Sequence, residues 1–227
     1  MEAGCPVRHQ LYAGRVGEEP VPGPLTGKMG KIYYILGPSA SGKDTIYRRL
    51  LQEAPTLGTM IPYTTRPMRD GEEEGREYFF TDEENLEKLR KADRVIEERC
   101  YATQYGPWYY FTVDDGRVDL QERSYLCIGT LESFQKVRDR FGKDRVLPLY
   151  IDLDAGERLQ RALTRERMQE KPGYEEMCRR FLADSRDFSE EKIREAGICR
   201  RFINDELDRC IREIREYMGQ TQQEKGR

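Results

Sequence analysis

The chain has 227 residues, in which 39 Lys and Arg face 42 Asp and Glu, for a net charge of −3. This balance argues against a protein that binds nucleic acid through its overall charge. No apolar run approaches the roughly 20 residues of a membrane span. The sequence therefore predicts neither a nucleic-acid nor a membrane partner, and its length suits one α/β domain with an inserted subdomain.

The six cysteines are widely spaced and form no Cys-x-x-Cys pair. In a chain of this length without a secretory signal, such cysteines indicate reduced thiols and a cytoplasmic protein. The only histidine in the sequence is His9. Its isolation argues against histidine-based acid–base catalysis and against His-ligated zinc.

Residues 1–29 are rich in proline and glycine and lack the apolar segment of a signal peptide. This composition predicts a disordered N-terminal extension. Met29 lies immediately before the first predicted strand, so translation that starts at Met29 is an open alternative.

A run of β-branched and aromatic residues from Lys31 to Gly37 predicts a buried parallel strand. After a glycine-rich loop, the next segment places Ile46, Leu50 and Leu51 on one helical face. The alternation that follows predicts a parallel sheet covered by helices on both faces. Its predicted strands are 124–129, 145–153 and 198–204, and its predicted helices are 131–141, 155–169, 174–190 and 206–218.

Residues 63 to about 121 interrupt this pattern. Short aromatic strands there surround one predicted helix at 83–91. We predict an inserted α+β subdomain, which leaves a core of residues 30–62 and 122–218 and a charged tail at 219–227.

The segment GPSASGKDT contains the pattern G-x-x-x-x-G-K between the first strand and the first helix. Backbone N–H groups of such a loop face nucleotide phosphates, and its lysine neutralises the β- and γ-phosphates. The sequence therefore predicts a phosphate-binding loop. Its predicted binding residues are Gly37, Pro38, Ser39, Ala40, Ser41, Gly42, Lys43, Asp44 and Thr45.

The residue after the loop lysine is unusual, because the motif has Ser or Thr where this chain has Asp44. One interpretation is a carboxylate that complements the dipole of the first helical turn. The other is a Mg²⁺ ligand, since this cation prefers oxygen ligands. Thr45 offers a hydroxyl one residue later, so Asp44 and Thr45 are the candidate metal ligands.

Residues 63–80 read YTTRPMRDGEEEGREYFF and closely resemble the acceptor-binding segment of guanylate kinases, T-T-R-x-x-R-x-G-E-x-x-G-x-x-Y. The segment from Glu97 to Gly106 resembles the family's glutamate followed by Y-Y-G, with one residue fewer. RALTRE and YEEMCRRF resemble the family's arginine-rich lid, at about residues 161–180, although Glu166 replaces a glycine. The resemblance covers about residues 29–218.

This resemblance implies a P-loop nucleoside monophosphate kinase fold with a helical lid. It also implies Mg²⁺-assisted transfer of a phosphoryl group from ATP to GMP or dGMP. Lys43, Arg161, Arg165 and Arg180 would act on the transferring group, and Asn204 would contact the donor nucleotide. The implied acceptor-binding residues are Arg66, Arg69, Glu72, Tyr78, Glu97 and Tyr105.

Some positions depart from the family pattern. Pro62 and Pro107 replace two serines, and Cys127 and Gly129 stand where two aspartates usually end a strand. We hypothesise that Asp44 compensates for part of this lost negative charge.

Two alternatives stay open. One is a kinase on the same scaffold with another phosphorylated acceptor, such as ribose 1,5-bisphosphate, whose kinases also have Asp after the loop lysine. The other is a guanylate-kinase-like interaction module without catalysis.

Overall fold

The computed structural model describes residues 29–69, 71–103 and 106–223. The predicted extension before Met29 and the predicted acceptor-binding residue Tyr105 lie outside the described residues. Nine strands are described: β1 (Ile32–Leu36), β2 (Gly58–Thr59), β3 (Tyr63–Thr64), β4 (Phe79–Phe80), β5 (Val95–Thr103), β6 (Gly106–Val113), β7 (Tyr125–Ile128), β8 (Val146–Asp152) and β9 (Arg201–Ile203). The described helices are α1 (Lys43–Glu53), α2 (Glu83–Lys91), α3 (Leu131–Phe141), α4 (Ala155–Arg167), α5 (Tyr174–Asp187), α6 (Glu190–Glu195) and α7 (Leu207–Gln223).

A five-stranded parallel sheet in the order β2-β7-β1-β8-β9 forms the centre of the fold. Every residue of the central strand β1 is buried, because helices cover both faces of the sheet. On one face Tyr34 packs with Phe134 of α3, and on the other Tyr33 packs with Ile46 and Ile214. The predicted α/β class, a parallel sheet flanked by helices, is confirmed.

A second sheet, in the order β4-β3-β6-β5, belongs to the segment between the first and second halves of the core. Strands β5 and β6 form a long antiparallel pair with an irregularity between Val95 and Glu97. Helix α2 buries Leu86 against Phe111 and Val113 on one face of this sheet. On the opposite face, Arg99, Tyr101 and Tyr110 line a cleft of about 450 Å³.

Helices α4 and α5 form the arginine-rich hairpin over the core. Glu166, at the position of a family glycine, is nearly buried and accepts hydrogen bonds from the Gly173 N–H and the Gln169 side chain. The Glu166 carboxylate therefore links the end of α4 to the residue that precedes α5. The predicted helix over 174–190 was too long, because Ser189 caps the separate helix α6 with its hydroxyl.

Helix α7 continues to Gln223, so the tail predicted for 219–227 is helical in its described part. The Tyr33 hydroxyl donates to the Met218 carbonyl at 3.0 Å and lies 3.0 Å from the Thr221 hydroxyl. These contacts anchor the end of the helix to the central strand. Among the described residues, no helix has the length and apolarity needed to cross a membrane.

Replacing the fully buried Leu50 by alanine should lower the free energy of unfolding by about 2–5 kcal/mol, because it leaves a cavity between α1 and the sheet. Urea denaturation measures this loss. Leu182→Ala is the matched control, since that side chain is 63% exposed, and it should change stability by less than about 0.5 kcal/mol. Equal losses in the two variants would contradict the assigned core.

Candidate functional site

The loop after β1 carries backbone conformations that glycine favours. Gly37 and Gly42 have φ values of 153° and 90°, and Ala40 also has a positive φ of 62°. A Cβ on Gly37 would lie 2.3 Å from the Ile151 carbonyl oxygen, so the loop packs directly against β8. This conformation places successive N–H groups around a concavity suited to phosphate oxygens.

Asn204, at the end of β9, packs against the phosphate loop. It is 3% exposed, and its Nδ2 donates to the Ser41 carbonyl at 2.7 Å. Arg161 Nη2 donates to the Asn204 carbonyl oxygen at 2.9 Å. The predicted donor-nucleotide residue Asn204 therefore lies against the loop, together with the predicted catalytic residue Arg161.

Two buried polar atoms beside the loop have no hydrogen-bond partner among the described residues, Ser41 Oγ and Asn204 Oδ1. Buried polar groups are normally paired with protein, water or a ligand. The loop therefore retains hydrogen-bonding capacity, which fits a phosphate-binding cradle.

The first turn of α1 presents Lys43, Asp44 and Thr45 beside the loop. Lys43 Nζ lies 3.9 Å from an Asp44 carboxylate oxygen, and the Asp44 side chain is 76% exposed. Within the described parts of the chain, no cluster of three His, Cys, Asp or Glu side chains could hold a metal. A Mg²⁺ ion at Asp44 and Thr45 would therefore take most of its ligands from water and nucleotide phosphates, as this cation commonly does.

The lid arginines border a cavity of about 260 Å³ between α4, α5 and Ser39. Arg165 and Arg180 both line this cavity. Arg180 Nε donates to Glu176 Oε1 at 2.7 Å, and Arg179 Nε donates to Glu176 Oε2 at 2.6 Å. These two guanidinium groups lower the pKa of Glu176 to about 2, so this carboxylate stays ionised and orients the arginines.

Sequence reasoning missed two lid residues near the site, Arg179 and Asp184. A carboxylate oxygen of Asp184 accepts a hydrogen bond from the Ser39 N–H at 2.8 Å, so α5 touches the phosphate loop directly. No sequence signal could have found this contact, since it joins residues far apart in the chain. Arg179 lies next to Arg180 and shares its partner.

The predicted acceptor-binding segment packs around Arg66, which is 3% exposed. Its two terminal nitrogens donate to Glu72 at 2.9 and 2.7 Å, and this pairing holds the pKa of Glu72 below its usual range. The guanidinium also lies 5.6 Å from the Tyr78 ring centre. Arg69 differs from these predicted residues, because its side chain is exposed and its backbone N–H donates to Glu72.

Glu97 lies on β5 with its side chain almost fully buried, and Thr112 Oγ1 donates to it at 2.7 Å. Arg99 Nε also donates to Glu97, at 3.2 Å. Sequence reasoning missed Arg99, although residues two apart on a strand share a face.

The end of β7 has no carboxylate. Burial raises the pKa of the Cys127 thiol to about 12, so this side chain is neutral near pH 7. A Cβ on Gly129 would lie 2.2 Å from the Tyr34 hydroxyl oxygen and 2.7 Å from Ser133 Oγ. The Tyr34 hydroxyl, which donates to Ser133 Oγ at 2.7 Å, therefore occupies the space that an aspartate at 129 would need.

Comparison with known proteins identifies the family. The family model for guanylate kinase matches residues 29–220 of this chain. This chain belongs to the guanylate kinase family. The loop, the predicted acceptor-binding segment around Arg66 and the arginine-rich hairpin all lie within the matched residues.

Individual guanylate kinases are similar in sequence to this chain over shorter segments. The guanylate kinase of Rhodopseudomonas palustris (strain BisB5) is 36% identical over 85 residues, which cover 35% of this chain and 39% of the relative. That of Oleidesulfovibrio alaskensis is 40% identical over 90 residues, which cover 40% and 42% of the two chains. This chain thus spans about two fifths of the length of these curated relatives. A crystal structure of guanylate kinase from Anaplasma phagocytophilum shares the fold, with a TM-score of 0.58 at 19% identity, over 86% of this chain and 88% of that chain.

Gly42→Ala should weaken ATP binding by about tenfold or more, because alanine is strained at this φ and its Cβ would lie 2.2 Å from Asn204 Nδ2. Isothermal titration calorimetry measures the affinity. The control is Gly219→Ala in α7, where an added Cβ has no atom within 4 Å and should be neutral or slightly stabilising. Unchanged ATP affinity in Gly42→Ala would show that the loop does not bind the nucleotide.

Glu72→Gln should lower the urea midpoint at pH 7, since the ionised carboxylate is held by Arg66. The folded-state pKa of Glu72 is depressed. The ionised carboxylate therefore contributes to the free energy of unfolding above its unfolded-state pKa of about 4.3, and this contribution is lost as pH falls through the folded-state pKa. The difference from wild type should therefore shrink below about pH 4. The exposed Glu216→Gln is the control, and a pH-independent difference for Glu72→Gln would contradict this account.

Proposed function

We propose that this protein transfers the γ-phosphoryl group of ATP to GMP or dGMP, giving ADP and GDP or dGDP. One observation carries the proposal. Arg180 lines the cavity over Ser39 of the phosphate loop and also the cleft of about 450 Å³ that contains Tyr78. A single lid arginine would therefore border both the proposed donor phosphate site and the proposed acceptor phosphate site.

The proposed chemistry needs positioning and charge neutralisation and does not need a general base, because the attacking oxygen of the acceptor phosphate is already anionic. The loop N–H groups and Lys43 would hold the donor phosphates. Arg66 and Tyr78 would hold the acceptor phosphate, with Arg66 oriented by Glu72. Arg161, Arg165 and Arg180 would stabilise the charge that spreads over the transferring group.

The residues present fit a Mg²⁺ ion. Asp44 offers an exposed carboxylate beside the loop lysine, and Thr45 offers a hydroxyl in the same helical turn. When bound, Mg²⁺ would neutralise the phosphates of the donor nucleotide. The role of Asp44 is to keep one oxygen ligand at the mouth of the loop.

We propose the cytoplasm as the place of action, supported by the free thiols of the five described cysteines. No contact among the described residues favours ribose 1,5-bisphosphate as the acceptor or a purely non-catalytic module.

A coupled ADP-release assay with GMP, dGMP, AMP and ribose 1,5-bisphosphate tests the proposal. Both guanine nucleotides should be phosphorylated well ahead of the other two acceptors. Lys43→Ala should lower kcat by about 100-fold or more, since it removes a charge that stabilises the transition state. Lys91→Ala, at an exposed end of α2, is the control and should retain full activity. The absence of turnover with GMP and dGMP in the wild-type protein would reject the proposed reaction.

A further inference from the structure

One face of the β5–β6 pair joins the acceptor phosphate site to a second polar group. Because strand side chains alternate, Glu97, Arg99 and Tyr101 share this face, and Glu98 on the other face pairs with Arg90 of α2. Across the ladder, Arg99 lies opposite Tyr110 and Glu97 lies opposite Thr112. The face thus has an aromatic middle and a charged pair at one end.

A row of rings connects that charged pair to Arg66. The ring centres of Tyr78 and Tyr110 are 5.6 Å apart, and those of Tyr110 and Tyr101 are 5.5 Å apart. Arg66 lies over Tyr78, at one end of this row. Arg99 lines the same cleft as Tyr78, and also the adjoining cleft of about 690 Å³ that reaches Thr130. A ligand whose phosphate lies at Arg66 can therefore extend towards Arg99.

The Glu97–Arg99 pair offers acceptors and donors together. Arg99 Nε and Nη2 lie 3.2 and 3.5 Å from the two Glu97 carboxylate oxygens. Within the described part of the chain, Arg99 Nη1 makes no hydrogen bond, and a quarter of the side chain (26%) is exposed. The guanidinium therefore keeps donors available to a ligand.

The charge of this pair favours a base over a second phosphate. Glu97 neutralises Arg99, so a phosphate dianion placed there would meet a carboxylate as well as a guanidinium. Guanine is neutral and presents N1–H and N2–H₂ donors beside O6 and N7 acceptors. In the major groove of DNA, a guanidinium that donates to O6 and N7 is the commonest specific contact to guanine.

Four positions in this part of the fold offer no free side-chain donor for O6. Pro62 and Pro107 have no side-chain donor, Gly129 has no side chain, and the Tyr34 hydroxyl already donates to Ser133. We propose that Arg99 determines base specificity, by donating to O6 and N7 of guanine while Glu97 accepts from N1–H and N2–H₂. This inference rests on the proposed GMP kinase activity.

Steady-state kinetics of Arg99→Met with GMP, IMP and AMP tests the proposal. IMP keeps O6 and N7 but lacks the 2-amino group, and AMP presents a donor at position 6. KM should rise about 5- to 150-fold for both GMP and IMP, with little change in kcat, whereas KM for AMP should stay unchanged or fall. Glu97→Gln should instead penalise GMP more than IMP, because only GMP offers the 2-amino group.

Two further variants make the test specific. Arg99→Lys keeps the positive charge and an N–H donor group but loses the planar fork, so it should recover part of the affinity for GMP and IMP. Arg94→Met makes the matched substitution at an exposed arginine outside the cleft and should leave all three KM values unchanged. Melting temperatures of all variants separate loss of recognition from loss of fold.

Each result has a defined consequence. Wild-type turnover of GMP combined with an unchanged GMP KM in Arg99→Met would overturn the role of Arg99 and leave the proposed reaction intact. An equal rise in KM for GMP, IMP and AMP would also overturn it, since Arg99 would then not distinguish bases. If Arg99→Met does not fold, the test is made with Arg99→Lys. Equal KM changes for GMP, IMP and AMP in that variant would contradict a role of Arg99 in distinguishing bases. Wild-type protein without GMP turnover would overturn both proposals.

Discussion

Close backbone approaches around the phosphate loop are the constraint on which the rest of the site depends. Gly37 lies against the β8 carbonyl of Ile151, and Gly42 lies against the Asn204 amide. These contacts fix the loop to β1, β8 and the end of β9. This anchoring sets the direction of α1 and therefore the placement of Lys43 and Asp44. It also sets the surface against which the lid helices pack.

Three arginines of the site share one physical feature, a carboxylate partner. Glu72 holds Arg66, Glu176 holds Arg180, and Glu97 holds Arg99. An unpaired charge is costly to bury, and a paired guanidinium is pre-oriented. The carboxylate partners therefore allow cationic side chains to converge before any substrate binds. The two anionic substrates of the proposed reaction would meet arginines that are already oriented.

Local patterns predicted much of the fold, because strand and helix periodicity is a local property. The predicted strand at 31–37 is β1, observed at Ile32–Leu36, and the predicted helix at 83–91 is α2. The two-residue strands β2 and β3 were missed, since so short a segment has no period. In the site, motif spacing found Lys43 and Arg66, whereas Asp184 and the Tyr34 hydroxyl act through tertiary contacts that no spacing records.

The space beside Gly129 changes how the Asp44 hypothesis can be examined. A simple Gly129→Asp variant would displace the Tyr34 hydroxyl and its bond to Ser133, so its effect would mix steric strain with electrostatics. Asp44 itself is exposed beside Lys43, so a substitution there carries no comparable steric cost. The neutral end of β7 also leaves Glu97 as the carboxylate that pairs with Arg99. The lost aspartates and the Glu97–Arg99 pair therefore belong to the proposed acceptor end of the site, and Asp44 belongs to the proposed donor end.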